Sequence, residues 1–191
     1  MPNWCSNHIR IEGPKEEIDR IWNILEDDKV DEGLLTALAP LDGEWDYNSA
    51  IDHWGTKWDV KEHGITQEEY EYQGSVRGVL EGYFESAWGP PTDAVEKWLH
   101  KSDEHEAEIL WYEPANDFCG ALQNGEFNQY ECSALTDDFL TQDNVGEALN
   151  EAFGIQEDRA MWREEEEDEA LREPLTLEDP EEGLVITKGT L

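Results

Sequence analysis

The chain opens on an alternation. In Trp4–Glu12 (WCSNHIRIE), Ile9 and Ile11 fall on one side and Arg10 and Glu12 on the other, the period of two expected of a strand with one buried face. Gly13-Pro14 breaks this pattern, and Pro14 suits the first turn of a helix. The period then lengthens. Ile18, Ile21, Trp22 and Leu25 recur at helical spacing with acidic residues opposite, and the run ends near Glu26-Asp27-Asp28. Val30 to Ser49 is less regular, although LLTALAPL predicts a short helical turn stopped before Pro40. Trp58–Lys61 predicts a short strand and Val79–Trp88 (VLEGYFESAW) a clearer one. Between them, EHGITQEEYEYQGSVRG reads as an acidic loop.

Gly89-Pro90-Pro91 ends that strand. Thr92 is the expected N-cap of a second helix, with Asp93 in its positive first turn and Val95, Trp98 and Leu99 as its apolar stripe. Ala107–Glu113 predicts a strand. Phe118–Gln123 and Phe127–Leu135 predict a hairpin turned at Asn124-Gly125. Thr136 and Asp143 are candidate caps for a third helical region, with Val145, Leu149 and Phe153 on one face and Gly154 at its end. A helical acidic stretch follows (QEDRAMWREEEEDEALRE), then a linker-like LTLEDPEEG. The last segment, LVITKGTL, reads as an edge strand or a tail.

Strand-helix-strand-strand-helix-strand is the ferredoxin-like order. The expected fold class is therefore α+β: an antiparallel sheet with helices on one face, plus an acidic helical C-terminal extension. The expected domains are residues 1–135 with an insertion around 30–78, an extension at 136–173, and a tail at 174–191.

Composition changes this picture in one respect. The 191 residues include 48 acidic and 13 basic side chains, a net charge of -35. Such a chain is repelled by nucleic acid and anionic membranes, and its natural partners are basic proteins or cations. Nine Trp, six Tyr and five Phe argue against a disordered acidic tail and for a packed core. No apolar run is long enough to span a bilayer, and no apolar segment near the start resembles a signal peptide. Three widely spaced Cys read as reduced thiols in a bacterial cytoplasm.

Three segments in order, MPNWCSNHIRIEG, HWGTKWD at 53–59 and FESAWGPP at 84–91, resemble the YubB-type ferredoxin-like proteins of conjugative plasmids and bacteriophages. The later WYEP and DFCGALQNGEF fit the same resemblance, which covers roughly residues 1–135. It implies a ferredoxin-like domain with an insertion before the second strand. It implies no activity, cofactor or catalytic residue.

HWGTKWD admits two readings. Lys57 or His53, with Asp59, is the enzymatic one. In the other, Gly55 turns the chain while Trp54 and Trp58 cap the open end of the sheet, which suits the large area that Trp buries. His100 and His105 with Asp103 and Glu104 offer a metal set, or else the polar end of a helix. Calcium-loop and phosphate-cradle patterns are absent. The strand aromatics Tyr83, Phe84, Trp111 and Tyr112 bring to mind RNA-binding sheets, but the charge opposes that use. They are expected in the core or at a protein contact.

The charge itself carries the functional expectation. Up to Gln156 there are 35 acidic against 9 basic residues, a net of -26, so the acidity is not confined to the tail. Helical carboxylates three or four residues apart lie about 5–6 Å from one another. Duplex DNA carries a charge per roughly 1.7 Å of axis over two strands. Rows of carboxylates can therefore imitate a phosphate track. The candidate partner-binding residues are Glu16, Glu17, Asp19, Glu26, Asp27 and Asp28 on the first helix, and Glu164, Glu165, Glu166, Glu167, Asp168 and Glu169 on the last. The expectation is a non-enzymatic DNA mimic of a phage or plasmid, without cofactor. Its partner would be the basic nucleic-acid-binding groove of a host defence complex, a CRISPR effector or a restriction enzyme. The alternatives are an acidic scaffold module anchored by exposed Trp, and adaptation to a high-salt host.

Overall fold

A computed structural model describes residues 3–27, 29–123 and 125–172, the last nine of them as backbone only. In chain order the elements are β1 (Trp4–Pro14), α1 (Lys15–Leu25), α2 (Leu34–Leu38), α3 (Tyr47–Trp54), β2 (His63–Tyr72), β3 (Ser75–Ala87), α4 (Thr92–Leu99) and β4 (Glu106–Glu113). β5 (Phe118–Gln123), β6 (Glu126–Tyr130), α5 (Asp137–Gln142), α6 (Asn144–Phe153) and α7 (Ile155–Arg172) complete them. Six strands form one antiparallel sheet in the order β2-β3-β1-β4-β5-β6. The first four reproduce the ferredoxin-like arrangement of two interleaved strand-helix-strand units.

Alternation along β1 builds the main core. Ile9 pairs with Gly82 and Ile109, and Ile11 with Leu80 and Ala107, so one face of three strands is apolar. Ile18 and Ile21 of α1, Leu34, Leu35 and Leu38 of α2, Ala50 and Trp54 of α3, and Val95 and Trp98 of α4 close over that face. Gly82 lies at φ +154, and a Cβ there would meet the Gly64 carbonyl oxygen at 2.2 Å. That close approach of β2 to β3 admits only glycine.

Five local expectations differ from the structure. The acidic loop at 62–78 is strand β2, a turn and the start of β3. β2 is a sheet edge on which Ile65 alone is buried, so it lacks an apolar alternation. Its turn places Gln73 and Gly74 at φ 49 and 83, the left-handed pair of a tight hairpin, and Gln is an uncommon residue there. Trp58–Lys61 is not a strand but part of the connection into β2. Helix α3 was not expected, although Asp46 caps it through the Asn48 and Ser49 amides and Gly55 ends it at φ 84. Thr92 is the first residue of α4, and Pro91 takes the cap position. β6 stops at Tyr130, and a 3₁₀ turn occupies Cys132–Ala134. The caps Thr136, Asp143 and Gly154 lie where the sequence places them.

The opposite face of the sheet is half covered. Leu110, Cys119 and Ala121 of β4 and β5 pack against Leu140 of α5, Leu149 of α6 and Ile155. Residues 136–156, grouped in the sequence with the extension, thus supply helices to the compact unit Met1–Gln156. The half over β2, β3 and β1 carries Arg10, Glu81, Tyr83 and Glu85, and no helix described within the unit Met1–Gln156 covers it. A second unit runs from Glu157 to Leu191. Its α7 portion exposes Met161 and Trp162. Residues 174–191, read as linker and tail, lie outside the described residues, as does Asp28. No described helix is long and apolar enough to cross a membrane.

Candidate interaction surface

HWGTKWD divides into a structural half and a surface half. Trp54 is buried and donates its indole N–H to the Ala39 carbonyl at 2.7 Å. The Thr56 hydroxyl, also buried, donates to the Ala87 carbonyl at 2.7 Å. Asp59 accepts from the backbone amides of Gly33 (2.8 Å), Leu35 (2.7 Å) and Val60 (2.8 Å), with Thr36 at 3.3 Å. It caps α2 from a distance, because Gly33 at the cap position has no side chain. Lys57 and Trp58 face outward. Trp58 packs on Trp4, which pairs with Ala87 at the end of β1 and β3, but it remains 38% exposed and so covers that end of the sheet only in part. The Lys57 ammonium sits 4.2 Å from the Trp58 ring centroid, Asp59 is occupied by amides, and His53 touches the Lys97 ammonium through its carbonyl.

Around Lys57 lies a group of exposed aromatics. Trp4 and Trp58 have ring centroids 6.0 Å apart, and Lys57 also lies 5.9 Å from the Tyr47 ring. The Trp45 indole N–H donates to the Lys57 carbonyl at 3.2 Å. Trp88, at φ 75, donates its amide to the Asn3 carbonyl. Trp4, Trp45, Tyr47 and Trp88 are each about half exposed. Trp4 and Trp58 wall a cleft of about 630 Å³ that includes Lys61, Glu62 and Glu85. A neighbouring hollow of about 500 Å³ shares Glu62 and Glu85 and adds Tyr83 and Phe153. Of the strand aromatics, Phe84 and Trp111 are core, Tyr112 joins the second core, and Tyr83 is exposed.

The carboxylates proposed on α1 have different fates. Glu16, Glu26 and Asp27 are exposed. Glu17 turns inward, accepting from Trp98 Nε1 at 3.2 Å and lying 2.8 Å from His105 Nε2. Asp19 pairs with Lys15 at 2.9 Å and accepts from Gln67, and Lys15 chiefly holds its carboxyl below the ordinary value. Lys15 and Arg20 interrupt the row, so α1 is not a uniform anionic track. The backbone of Glu164–Glu169 is helical within α7, and the side chains lie outside the described ones.

A stronger anionic surface escaped the sequence reading. From Ser102 to Gln156 there is no Lys or Arg and there are 13 Asp and Glu. This stretch builds β4, β5, β6, α5 and α6, one side of the sheet and the helices on it. Asp103, Glu104, Glu126, Glu131, Asp137, Asp138, Glu147 and Glu151 are exposed there. The signal was visible as the spacing between successive cations. Cations elsewhere are consumed internally. Of the nine in Met1–Gln156, eight have a described partner, including Arg10, Lys15, Lys61 and Arg77 on carboxylates. Lys97 and Lys101 donate to the His53 and Leu38 carbonyls at helix ends.

The remaining candidate chemistry is structural. His105 stacks on Trp98 with centroids 4.1 Å apart, and its Nδ1 lies 2.8 Å from the Trp98 carbonyl, so both ring nitrogens are engaged. No cluster suited to a metal occurs among the described residues. Cys5, Cys119 and Cys132 are buried. Burial, with Glu113 and Glu85 nearby, pushes the Cys5 thiol far up.

Glu12 sits at the centre of a polar cluster on the open face. Arg77 Nε donates at 2.8 Å, Arg10 Nη2 at 3.0 Å, and the Tyr70 hydroxyl also donates. Burial raises the Glu12 carboxyl, but these donors outweigh it and hold the group below its ordinary value. A lowered folded value stabilises above the unfolded pKa of about 4.3 and is lost as pH falls through the folded value. Glu12→Gln is expected to lose about 2 kcal/mol at neutral pH and to show a shallower acid loss than the parent. Urea midpoints at pH 7 and in acid measure both, and parallel pH profiles would refute this role.

Comparison with protein-family models, with curated proteins and with solved structures finds no match for this chain.

Proposed function

We propose that this chain is a non-enzymatic acidic decoy that occupies the basic nucleic-acid-binding groove of another protein. In its sharper form it is a YubB-like DNA mimic of a phage or plasmid, acting on a host CRISPR effector or restriction enzyme. The observation that carries the proposal is the cation-free half of the fold. There β4–β6, α5 and α6 display carboxylates while eight of the nine Lys and Arg in the rest of the domain are drawn into contacts within the chain. A rigid sheet and two capped helices hold those charges in place, so little ordering is lost on binding. Opposite charge steers association, and single carboxylates contribute little while clusters contribute much.

The experiment is capture from bacterial lysate on the immobilised chain. Elution by salt is compared with elution by duplex DNA at low salt. The expected result is one nucleic-acid-binding complex retained at low salt, displaced by DNA, and lost when Asp137, Asp138, Glu147 and Glu151 are changed together to Asn and Gln. Steering implies an association rate that falls roughly 10- to 1,000-fold from low to high salt. Retention that resists salt and DNA would overturn this reading and favour a second one, an interaction module. The exposed Trp4, Trp45, Trp58 and Trp88 favour that alternative, since Trp is the residue most enriched at binding hot spots.

A further inference from the structure

We infer that the cleft lined by Trp4 and Trp58 is a socket for an arginine side chain presented by the basic partner, an inference that rests on the proposed acidic-decoy reading. Two indoles in contact with each other, centroids 6.0 Å apart and inclined at 41°, together form one aromatic wall. The floor comes from Ser86 and Ala87, and Glu62 and Glu85 stand at the side shared with the second aromatic hollow. The molecule already demonstrates the chemistry, because Lys57 places its ammonium 4.2 Å from the Trp58 centroid. An indole face attracts a cation through its quadrupole. A guanidinium is flat, so it can lie along an indole while its edge donates to a carboxylate in paired bonds.

Charge selects the occupant. Ferredoxin-like sheets that bind RNA stack bases on exposed aromatics and hold phosphates with cations. Here the exposed aromatics Trp4 and Tyr83 share the open face with Glu81 and Glu85. Lys61, the cation lining the cleft, is paired with Asp31. Glu62 and Glu85 are exposed and have no described cation partner, and Glu85 accepts only a 2.8 Å bond from the Ser6 hydroxyl. A phosphate or a carboxylate would face uncompensated negative charge, whereas a guanidinium would neutralise it.

The socket is built into the fold. Trp4 begins β1 opposite Ala87. Trp58 is flanked by Thr56, bonded to the Ala87 carbonyl, and by Asp59, fastened to the start of α2. Both indoles are therefore positioned before any ligand arrives.

The test uses the whole chain labelled with 15N and follows its nine indole N–H resonances. The probes are N-acetyl-arginine methylamide, its lysine counterpart, and the citrulline counterpart, which keeps the shape without the charge. Saturable shifts of Trp4 and Trp58 with the arginine probe are expected, weaker ones with lysine, and none with citrulline. Changing Glu62 and Glu85 together to Gln should weaken the arginine response about tenfold or more while Trp54, Trp98 and Trp111 keep their shifts. Trp4→Leu should abolish the response at Trp58. Equal responses to citrulline, or shifts spread evenly over every exposed indole, would overturn the assignment. No partner protein enters this titration. A failed lysate capture with a working socket therefore indicts only the decoy reading, and the converse result indicts only the socket.

Discussion

Trp98→Ala is expected to destabilise the domain by about 3–5 kcal/mol, the range for emptying a buried aromatic site. Trp98 is wholly buried at the centre of the main core. Its ring supports His105 in a parallel stack, and its indole N–H donates to Glu17. Truncation removes the apolar area, leaves a cavity, and strips the buried His105 and the half-buried Glu17 of a neighbour. For a domain of this size the melting temperature should fall by roughly 10 °C or more. Circular dichroism melts of Trp98→Ala and Trp98→Phe measure this, with Phe recovering part of the loss. Trp162→Ala is the control: that residue is 66% exposed, and its change should stay within about 0.5 kcal/mol. A Trp98→Ala protein that melts with the parent would show that the core does not depend on this ring.

Asp59→Ala is expected to lose about 2–4 kcal/mol. It leaves up to four backbone amides without their acceptor and removes a negative charge from the start of a helix. Asp59→Asn keeps one oxygen acceptor and should lose about half as much. Urea unfolding measures the difference. The change has a second consequence, because the same carboxylate holds the segment that carries Trp58. Asp59→Ala should broaden the Trp58 indole resonance and weaken the arginine response, even at temperatures where the domain stays folded. An unchanged Trp58 signal would separate the cap from the cleft.

Much of the frame was legible in the sequence, for local reasons. Ile9 and Ile11 alternate because β1 has one buried face, and Ile18 and Ile21 follow helical spacing because α1 has one buried stripe. Thr136, Asp143 and Gly154 act within a few residues of themselves, so their roles needed no tertiary information. β2 was missed because an edge strand that buries only Ile65 shows no apolar alternation, and its hairpin turns through an untypical Gln73. α3 was missed although Asp46 and Gly55 bracket it, since the short apolar set Ala50, Ile51 and Trp54 lies within an irregular stretch. At the candidate surface, Glu17 and Asp19 looked like Glu16 in sequence. Glu17's partners His105 and Trp98, and Asp19's partner Gln67, lie far along the chain, whereas the Lys15–Asp19 pair is local.

The sequence alone determined the net charge, the α+β class, and the kinds and order of most elements except β2 and α3, because each follows from composition or from periods read over a few residues. Only the tertiary structure decided which charges remain outward and which aromatics stay exposed. It folded the cation-free stretch into one side of the sheet and spent Arg77, Lys97 and Lys101 on distant partners. It also set Trp4 beside Trp58 across more than fifty residues of chain. A side chain's availability depends on neighbours that strand register and helix docking bring to it, and one-dimensional spacing does not contain those neighbours.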